Sequence, residues 1–423
     1  VITCALSILN PNVFDVPITI PSWETQQMPG QQLQQRPKGQ QGGSGGSGRK
    51  RSFLVGTQDV LEGGDYDQTF TNTSGGAMPP WTLQGTGWLA RLWFYVTYTT
   101  TGGTALTADA PYILFNTVQL NDVNNEAIFG PFDGYTWSLT NKYGGYYFDD
   151  DPSTNAVYSA SATAGTFVLM IPLEIVSRDP IGAVASVNNT ATLTVLLTLN
   201  TAVTAFTGAT VWSVRVRGLQ EFYWEPRKQD KQGRDIAGAP PANGTTQYWT
   251  QGSIPIAAAG TINQQLITGL GYPFREYLFL YRDASGSRAN GESNWPDPLI
   301  GLKFEANFLL TQYNKVQWIA EMSRASGYFS ATADVRGAGT VPGKENGVYG
   351  LFFNRDFFKK AIGAETRRTY VVTSPGSNWI LNGAYGTAGN LYEIVNYVAP
   401  GGGGGAGNAQ QRHQDTAMLT GGA

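Results

Sequence analysis

The chain is nearly free of the side chains that carry most protein chemistry. Among 423 residues there is one cysteine, Cys4, and one histidine, His413. A single cysteine excludes an intrachain disulfide and a cysteine-ligated zinc or iron–sulfur centre. A Ser–His or Cys–His nucleophile pair would have to use His413, which follows the polar run Gly407-Asn408-Ala409-Gln410-Gln411-Arg412. Polar terminal segments position a general base poorly, so nucleophilic hydrolysis is not expected. Charge is scarce too, at 14 % Asp, Glu, Lys and Arg, against roughly 25 % in an ordinary soluble protein. The net charge of −3 argues against bulk nucleic-acid binding, which needs a basic face. No apolar run reaches the roughly 18 residues of a spanning helix. The stretch Val1–Ile20 mixes apolar residues with Asn10-Pro11-Asn12 and Asp15 and does not read as a signal peptide.

Glycine and aromatic residues are abundant instead: 53 glycines, and 12 % Phe, Trp and Tyr. Strand-like stretches recur between turn signals. Trp88–Thr99 is aromatic and β-branched, and Gly102-Gly103 ends it. Further strands are expected over Tyr112–Leu120, Thr166–Pro172, Thr190–Leu199 and Thr210–Tyr223. In the last of these, Trp212, Val214 and Val216 alternate with Ser213, Arg215 and Arg217. After a break, strands are expected over Ile254–Ile267, Tyr277–Arg282, Leu299–Leu310, Val348–Phe353, Thr369–Thr373 and Leu391–Val398. Helical spacing is confined to Asn314–Ser323 and the shorter Asp133–Asn141. The pattern predicts an all-β chain of sandwich or barrel type.

Composition divides the chain. Residues 1–52 form an N-terminal arm rich in Gln, Pro and Gly, in which the Gly-Ser run 42–48 reads as a flexible linker, either a natural tether or an engineered insertion. The arm carries Arg36, Lys38, Arg49, Lys50 and Arg51 against Asp15 and Glu24, so it is basic and the remainder acidic. That polarity suits contact with phosphate, of lipid or genome, or a solvated linker. Residues 53–224 form a first β unit, and 225–252, with Pro226 and Ala239-Pro240-Pro241, a linker. Residues 253–400 form a second β unit, and the glycine-rich 401–423 a flexible tail. The halves share a pattern. A strand beginning at Tyr112 is followed by Trp137 in a helix and by Gly145-Tyr146-Tyr147. One beginning at Leu299 is followed by Trp318 and by Gly327-Tyr328-Phe329. The offset of about 182 residues exceeds the period of any solenoid and implies two related domains.

Few residues present themselves as chemical sites. Asp149-Asp150-Asp151-Pro152-Ser153-Thr154-Asn155 is dense in oxygen ligands but lacks calcium-loop spacing, and reads as a solvated outer loop. Asp283 and Glu292 are the candidate carboxylate pair of a glycosidase, with nothing to set their separation. Arg367-Arg368 reads as an exposed strand start rather than a phosphate contact. No catalytic residue, cofactor or metal is expected, and no enzyme.

One stretch carries a family resemblance. Val168-Leu169-Met170-Ile171-Pro172-Leu173, followed by Ser177-Arg178-Asp179-Pro180, resembles the first jelly roll of double jelly-roll major capsid proteins of tailless icosahedral viruses. Ile113–Asn121, Glu126–Phe129 and Asp133–Trp137 resemble that family's preceding strand pair and helix, and Thr192–Leu199 its next strand. Where the family often carries aromatic residues after Ile-Pro-Leu, this chain has Glu174-Ile175-Val176. The motif residues Ile171, Pro172, Leu173, Ser177, Arg178, Asp179 and Pro180 have a structural role in this reading. The resemblance implies two tandem jelly-roll β-sandwiches with short helices. It implies homotrimers of pseudo-hexagonal outline tiling a virion shell, with no catalysis. The implied partners are further copies of the chain, penton and minor capsid proteins, and an internal membrane met by the arm, with no specific nucleic acid. Low charge and many aromatics suit broad lateral contacts, where such residues are enriched. The alternative is a carbohydrate- or receptor-binding jelly-roll module, a spike or lectin, which would gather exposed aromatics into one cleft.

Overall fold

The structure is a computed structural model. It describes residues 51–52, 58–72, 74–83, 87–144, 152–175, 182–186, 192–223, 238–239, 246–265, 272–297, 300–304, 307–326, 343–353, 371–372 and 379–399. The first half supplies β1 (Gln58–Asn72), β2 (Gly76–Ala77), β3 (Trp81–Thr82), β4 (Gly87–Thr101), β5 (Phe115–Asn121) and β6 (Ala127–Phe132). It continues with α1 (Gly134–Tyr143), β7 (Ala164–Pro172), β8 (Thr194–Leu199) and β9 (Val211–Tyr223). One sheet runs β1-β9-β4-β7; the facing sheet has β8 between β5 and the short β2 and β3, with β6 beyond β5.

The second half supplies β10 (Thr246–Ile256), β11 (Gly260–Gln265), β12 (Pro273–Asp283), α2 (Arg288–Asn294), β13 (Ile300–Phe304) and β14 (Asn307–Tyr313). It ends with α3 (Lys315–Ser326), β15 (Val348–Phe352), β16 (Trp379–Tyr385) and β17 (Gly389–Ala399). Its sheets run β10-β17-β12-β15 and β11-β16-β13-β14. If β2 and β3 count as one split position, both halves interleave their strands in the same order: first, last, third, sixth in one sheet, and second, seventh, fourth, fifth in the other. That is the jelly-roll topology, twice. The two sandwiches join edge to edge, with β10 pairing parallel to β6 and Trp249 opposite Phe129.

Alternation builds the cores. In β4, Phe94, Val96 and Tyr98 point inward and Tyr95, Thr97 and Thr99 outward. The aromatic residues fill the interior: Trp81, Trp137, Trp212, Trp249, Trp318 and Trp379 are all fully buried. In contact terms, Trp137 meets Phe94 and Phe115, and Trp318 meets Phe279 and Trp295. The expectation that aromatics line the outer sides is corrected. Tyr95 is the sole aromatic among the exposed large hydrophobics of the described residues. The core also uses close backbone approach. A Cβ at Gly218 would lie 2.5 Å from the Trp81 ring, so that ring can lie flat on β9 only over a glycine.

Helix starts follow their caps. Asp133 accepts from the Thr136 N–H at 2.6 Å and opens α1. At α3, the Asn314 side chain accepts from the Gln317 N–H at 2.8 Å, and Gln317 returns the bond to the Asn314 N–H at 3.2 Å. Several boundaries differ from expectation. Tyr112–Leu114 is a 3-10 turn, and the strand begins at Phe115. The single strand expected over Ile254–Ile267 is two, β10 and β11, broken before Gly260 at φ 142°. Of the strand expected over Leu299–Leu310, residues 300–304 and 307–310 belong to two antiparallel strands, β13 and β14. The stretch 225–252 is not linker throughout, because β10 begins at Thr246. Within the same stretch Gly238–Ala239 pairs in parallel with Arg51–Ser52, at the end of the expected arm.

Candidate functional site: the charged seam between the two sandwiches

Charged residues are few in this chain, yet several are buried where its halves meet, in three clusters. The first centres on Glu174, placed by the Ile171-Pro172-Leu173 motif. Ile171 and Leu173 are fully buried. Pro172 ends β7 opposite Arg91, and the Leu173 and Glu174 N–H groups both donate to the Ala90 carbonyl, at 3.1 and 3.0 Å. The Glu174 carboxylate accepts from Arg91 and from the Tyr223 hydroxyl. Arg91 Nε also lies 3.3 Å from Glu221 Oε2, which accepts from the Trp93 indole at 3.1 Å. The chain of bonds then crosses to the second half. Gln247 of β10 donates to the Glu174 carbonyl. Arg275 Nη1 donates to Gln247 Oε1 and to Asn396 Oδ1, both at 2.9 Å. Burial pushes the Tyr223 hydroxyl pKa up, and the adjoining Glu174 carboxylate adds to the effect. Burial works against the Arg91 charge, but Glu174 and Glu221 outweigh it, so its pKa rises.

The second cluster ties α1 to the segment before β15. Lys142 Nζ lies 2.8 Å from Glu345 Oε1, and the Tyr143 hydroxyl donates to Glu345 Oε2 at 2.6 Å. The Lys142 and Glu345 side chains are 4 % and 1 % exposed, so each charge depends on the other for solvation. Beside them, Lys344 Nζ donates to Glu292 Oε2 at 2.6 Å, and the Gly347 N–H and Tyr349 hydroxyl reach the same carboxylate. Burial alone would raise the Glu292 pKa; Lys344 and these donors override it and hold it below the usual carboxylate value.

The third cluster surrounds Asp109, on the connection between β4 and β5. It accepts from Arg288 Nε and lies 2.5 Å from Arg282 Nη1. Arg288 Nη2 donates to the Ala108 carbonyl at 3.1 Å, and its guanidinium stacks 4.1 Å from the centre of the Tyr135 ring on α1. Burial pushes the Asp109 carboxyl up, but the two arginines outweigh it and its pKa falls below the ordinary value.

Together the clusters fix how the sandwiches sit on each other. An apolar contact can slide; a buried ion pair cannot, because any shift leaves a charge unpartnered in a medium that solvates it poorly. In this geometry buried ion pairs and hydrogen bonds hold one half of the chain against the other. The seam sets an angle.

Of the residues singled out by sequence, Ile171, Pro172 and Leu173 are buried where β7 ends, immediately before Glu174, while Ser177, Arg178, Asp179 and Pro180 lie outside the described residues. So do Asp149–Asp151, Arg367-Arg368, Gly145 and Gly327, and every residue of the arm up to Lys50 and of the tail. Asp283 and Glu292 do not face each other as an acid–base pair. Asp283 accepts from the Ser285 and Ser287 N–H groups and from Asn290, capping the turn before α2. Glu292 is held by Lys344. The seam residues Arg91, Lys142, Arg275, Arg288 and Glu345 escaped sequence reasoning. A usable signal was present: a charge inside an apolar strand of a charge-poor chain, as in Phe274-Arg275-Glu276-Tyr277.

No family model and no curated protein matches the sequence. Solved structures do match in fold. The atomic structure of Sulfolobus Turreted Icosahedral Virus aligns over 86 % of this chain and 97 % of its own, with TM-score 0.53 and 13 % identity. The PBCV-1 virus capsid aligns over 80 % of this chain and 96 % of its own, with TM-score 0.50 and 10 % identity. The fold in common is the double jelly roll.

Proposed function

We propose that this chain is a major capsid protein, built into the shell of an icosahedral virion as homotrimers of pseudo-hexagonal outline. The observation that carries the reading is the duplicated jelly roll with its charged seam. Two sandwiches of one topology, locked at one angle, give each subunit two similar sides, and three subunits then present six to a hexagonal lattice. The fold likeness to viral shell structures supports it. Residues 53–224 and 253–400, the latter extended back to Thr246, are the two shell-building units. The basic arm lies on the inner side, towards membrane or neighbouring capsomers, with penton and minor capsid proteins as further partners. The protein works without catalysis. A glycan-binding module would need clustered exposed rings, and among the described residues Tyr95 is the sole exposed aromatic.

The test is sedimentation of the disassembled chain at micromolar concentration, neutral pH and moderate salt, with electron microscopy of assembled material. A trimer burying more than about 2,000 Å² per pair of neighbours is expected, in the range of obligate interfaces. A stable monomer that forms no particles overturns the reading.

A further inference from the structure

The two sandwiches can be matched residue by residue, and at one interior position they differ in kind. The anchor is a tryptophan bond made in both. Trp137 donates its indole N–H to the Met170 carbonyl, and Trp318 to that of Gly350. Met170 pairs with Trp93 and Gly350 with Leu278, so Phe94 takes the place of Phe279 and Tyr95 that of Leu280. Phe94 packs on Trp137 and Phe279 on Trp318, in agreement with the match. Across the sheet, Phe94 pairs with Gly218 and Gly218 with Tyr66. Phe279 pairs with Glu393 and Glu393 with Gly252. Glu393 therefore stands where the first sandwich has Gly218, and Gly252 where it has Tyr66.

The first sandwich fills this position with rings. Tyr66 stacks on Trp81 with centres 5.3 Å apart, and the Trp81 ring lies over Gly218. The second turns a carboxylate into its core instead. Glu393 is 2 % exposed and lies on the same face of β17 as the fully buried Leu391 and Val395. The Tyr277 hydroxyl donates to Glu393 Oε2 at 3.4 Å. A Cβ at Gly252 would meet, among the described residues, only that oxygen, at 3.7 Å, so these residues leave room beside the carboxylate. Tyr385, from the facing sheet, is as deeply buried as Glu393, and its hydroxyl has no hydrogen-bond partner among the described residues. Burial pushes the Tyr385 pKa up, and the Glu393 charge adds to the effect, which sets the two groups close together. The Tyr385 ring lies 4.7 Å from that of Tyr281. One carboxylate, two hydroxyls and aromatic walls thus replace a packed stack of rings.

We propose that this chamber in the second sandwich binds a monovalent cation of potassium size, held by the Glu393 carboxylate and the hydroxyl oxygens of Tyr277 and Tyr385. A buried hydroxyl with nothing to bond costs free energy, and as a ligand the Tyr385 oxygen gains a partner. The charge count selects the ion. A single carboxylate balances one positive charge, whereas calcium-type sites draw on more oxygen ligands and more carboxylates. Among the described residues no three acidic, histidine or cysteine side chains converge to hold a divalent ion. The ring faces of Tyr281 and Tyr385 add attraction for a cation that sheds its water readily. Gly252 is half-buried, which gives a small ion a way in beside β10. The inference stands apart from the capsid reading. It makes the stability of one sandwich, and not of its twin, depend on the surrounding ion.

The experiment is denaturant unfolding of the full chain in potassium chloride and in choline chloride at equal ionic strength. Potassium should raise the midpoint along a saturating curve. At ten times its half-saturating concentration the folded-to-unfolded ratio should rise about elevenfold. Choline, too large for the chamber, should give no such rise. Gly252→Ala puts a methyl group into the chamber at ordinary contact distance from Glu393 and should abolish the potassium response while the carboxylate stays. Tyr385→Phe should weaken the response, and Asp67→Asn, at an exposed carboxylate of the first sandwich, should leave it unchanged. Equal effects of potassium and choline, or a full response in Gly252→Ala, overturn the proposal. A second arm uses thallium(I) as a potassium surrogate in thallium NMR of the native chain. A bound resonance that potassium displaces, and that Glu393→Gln lacks, is expected. Absence of a bound resonance in the native chain overturns the proposal even where a variant fails to fold.

Discussion

Trp137 and Trp318 make the same bond in the two halves of the chain. Trp137 donates its indole N–H to the Met170 carbonyl on β7 at 2.7 Å, and Trp318 donates to the Gly350 carbonyl on β15 at 2.6 Å. One helical turn later, the side chain of Asn141 accepts from the Met170 N–H at 2.7 Å, and the Met322 sulfur from the Gly350 N–H at 3.3 Å. Each helix therefore grips one residue of the sixth strand from both sides. Sharing this at matched positions is stronger evidence of duplication than composition, because it couples a helix position to a strand position.

The two grips differ in redundancy, which predicts unequal costs. Trp137→Phe leaves the Met170 carbonyl bonded to Asn141 Nδ2 at 2.7 Å, whereas Met322 has no N–H to offer Gly350. Loss of a buried bond costs about 1–3 kcal/mol. Trp318→Phe should fall near the upper end and Trp137→Phe near the lower, read from denaturant midpoints. The reverse order would count against the grip.

The Lys142–Glu345 pair should behave as a unit. Lys142→Met or Glu345→Met alone strands a buried charge and should cost about 3–5 kcal/mol. The double replacement should recover most of that loss, since both charges go together. A double-mutant cycle showing simple additivity would rule out the direct pairing.

Acid should weaken the seam at Asp109 and Glu292. Both carboxyls have folded-state pKa values below their ordinary ones, so their contribution is present above the unfolded value of about 4. It is lost as pH falls through the folded values. Asp109→Asn should lower stability at pH 7 and flatten the decline of stability below about pH 4. An unchanged acid profile in that variant would show that Asp109 does not set it.

Alkali should act through Tyr66 and Tyr98. Burial pushes both hydroxyls up to about 12, so the folded state keeps them protonated where the unfolded chain begins to ionise near pH 10. Their contribution is complete below pH 10 and lost as pH rises towards 12. Ultraviolet titration of Tyr66→Phe should remove one late-ionising phenolate from the folded protein. Removal of one ionising near pH 10 instead would refute the placement.

The sequence alone determined the β class, the helices α1 and α3, and the pairing of Trp137 with Trp318, because each is written in local spacing; the helix α2 (Arg288–Asn294) was not legible there. Alternation in β4 says that Tyr95 and Leu92 face opposite ways. The lack of histidine and cysteine from residues 53–400 argued against Ser–His and Cys–His nucleophiles and cysteine-ligated metals. Local spacing does not say what covers an outward face. Tyr95 and Leu280 sit at the same place in the same topology, yet one is open and the other buried, since only Leu280 has the other sandwich above it. The seam charges follow the same rule. Arg91, Arg275 and Arg288 look like solvated residues until the fold brings Glu174, Gln247 and Asp109 to them from distant parts of the chain. Parity within a strand is a property of neighbouring residues. Burial of its outer side, and the ion pairs that burial demands, are properties of two sandwiches meeting at one angle.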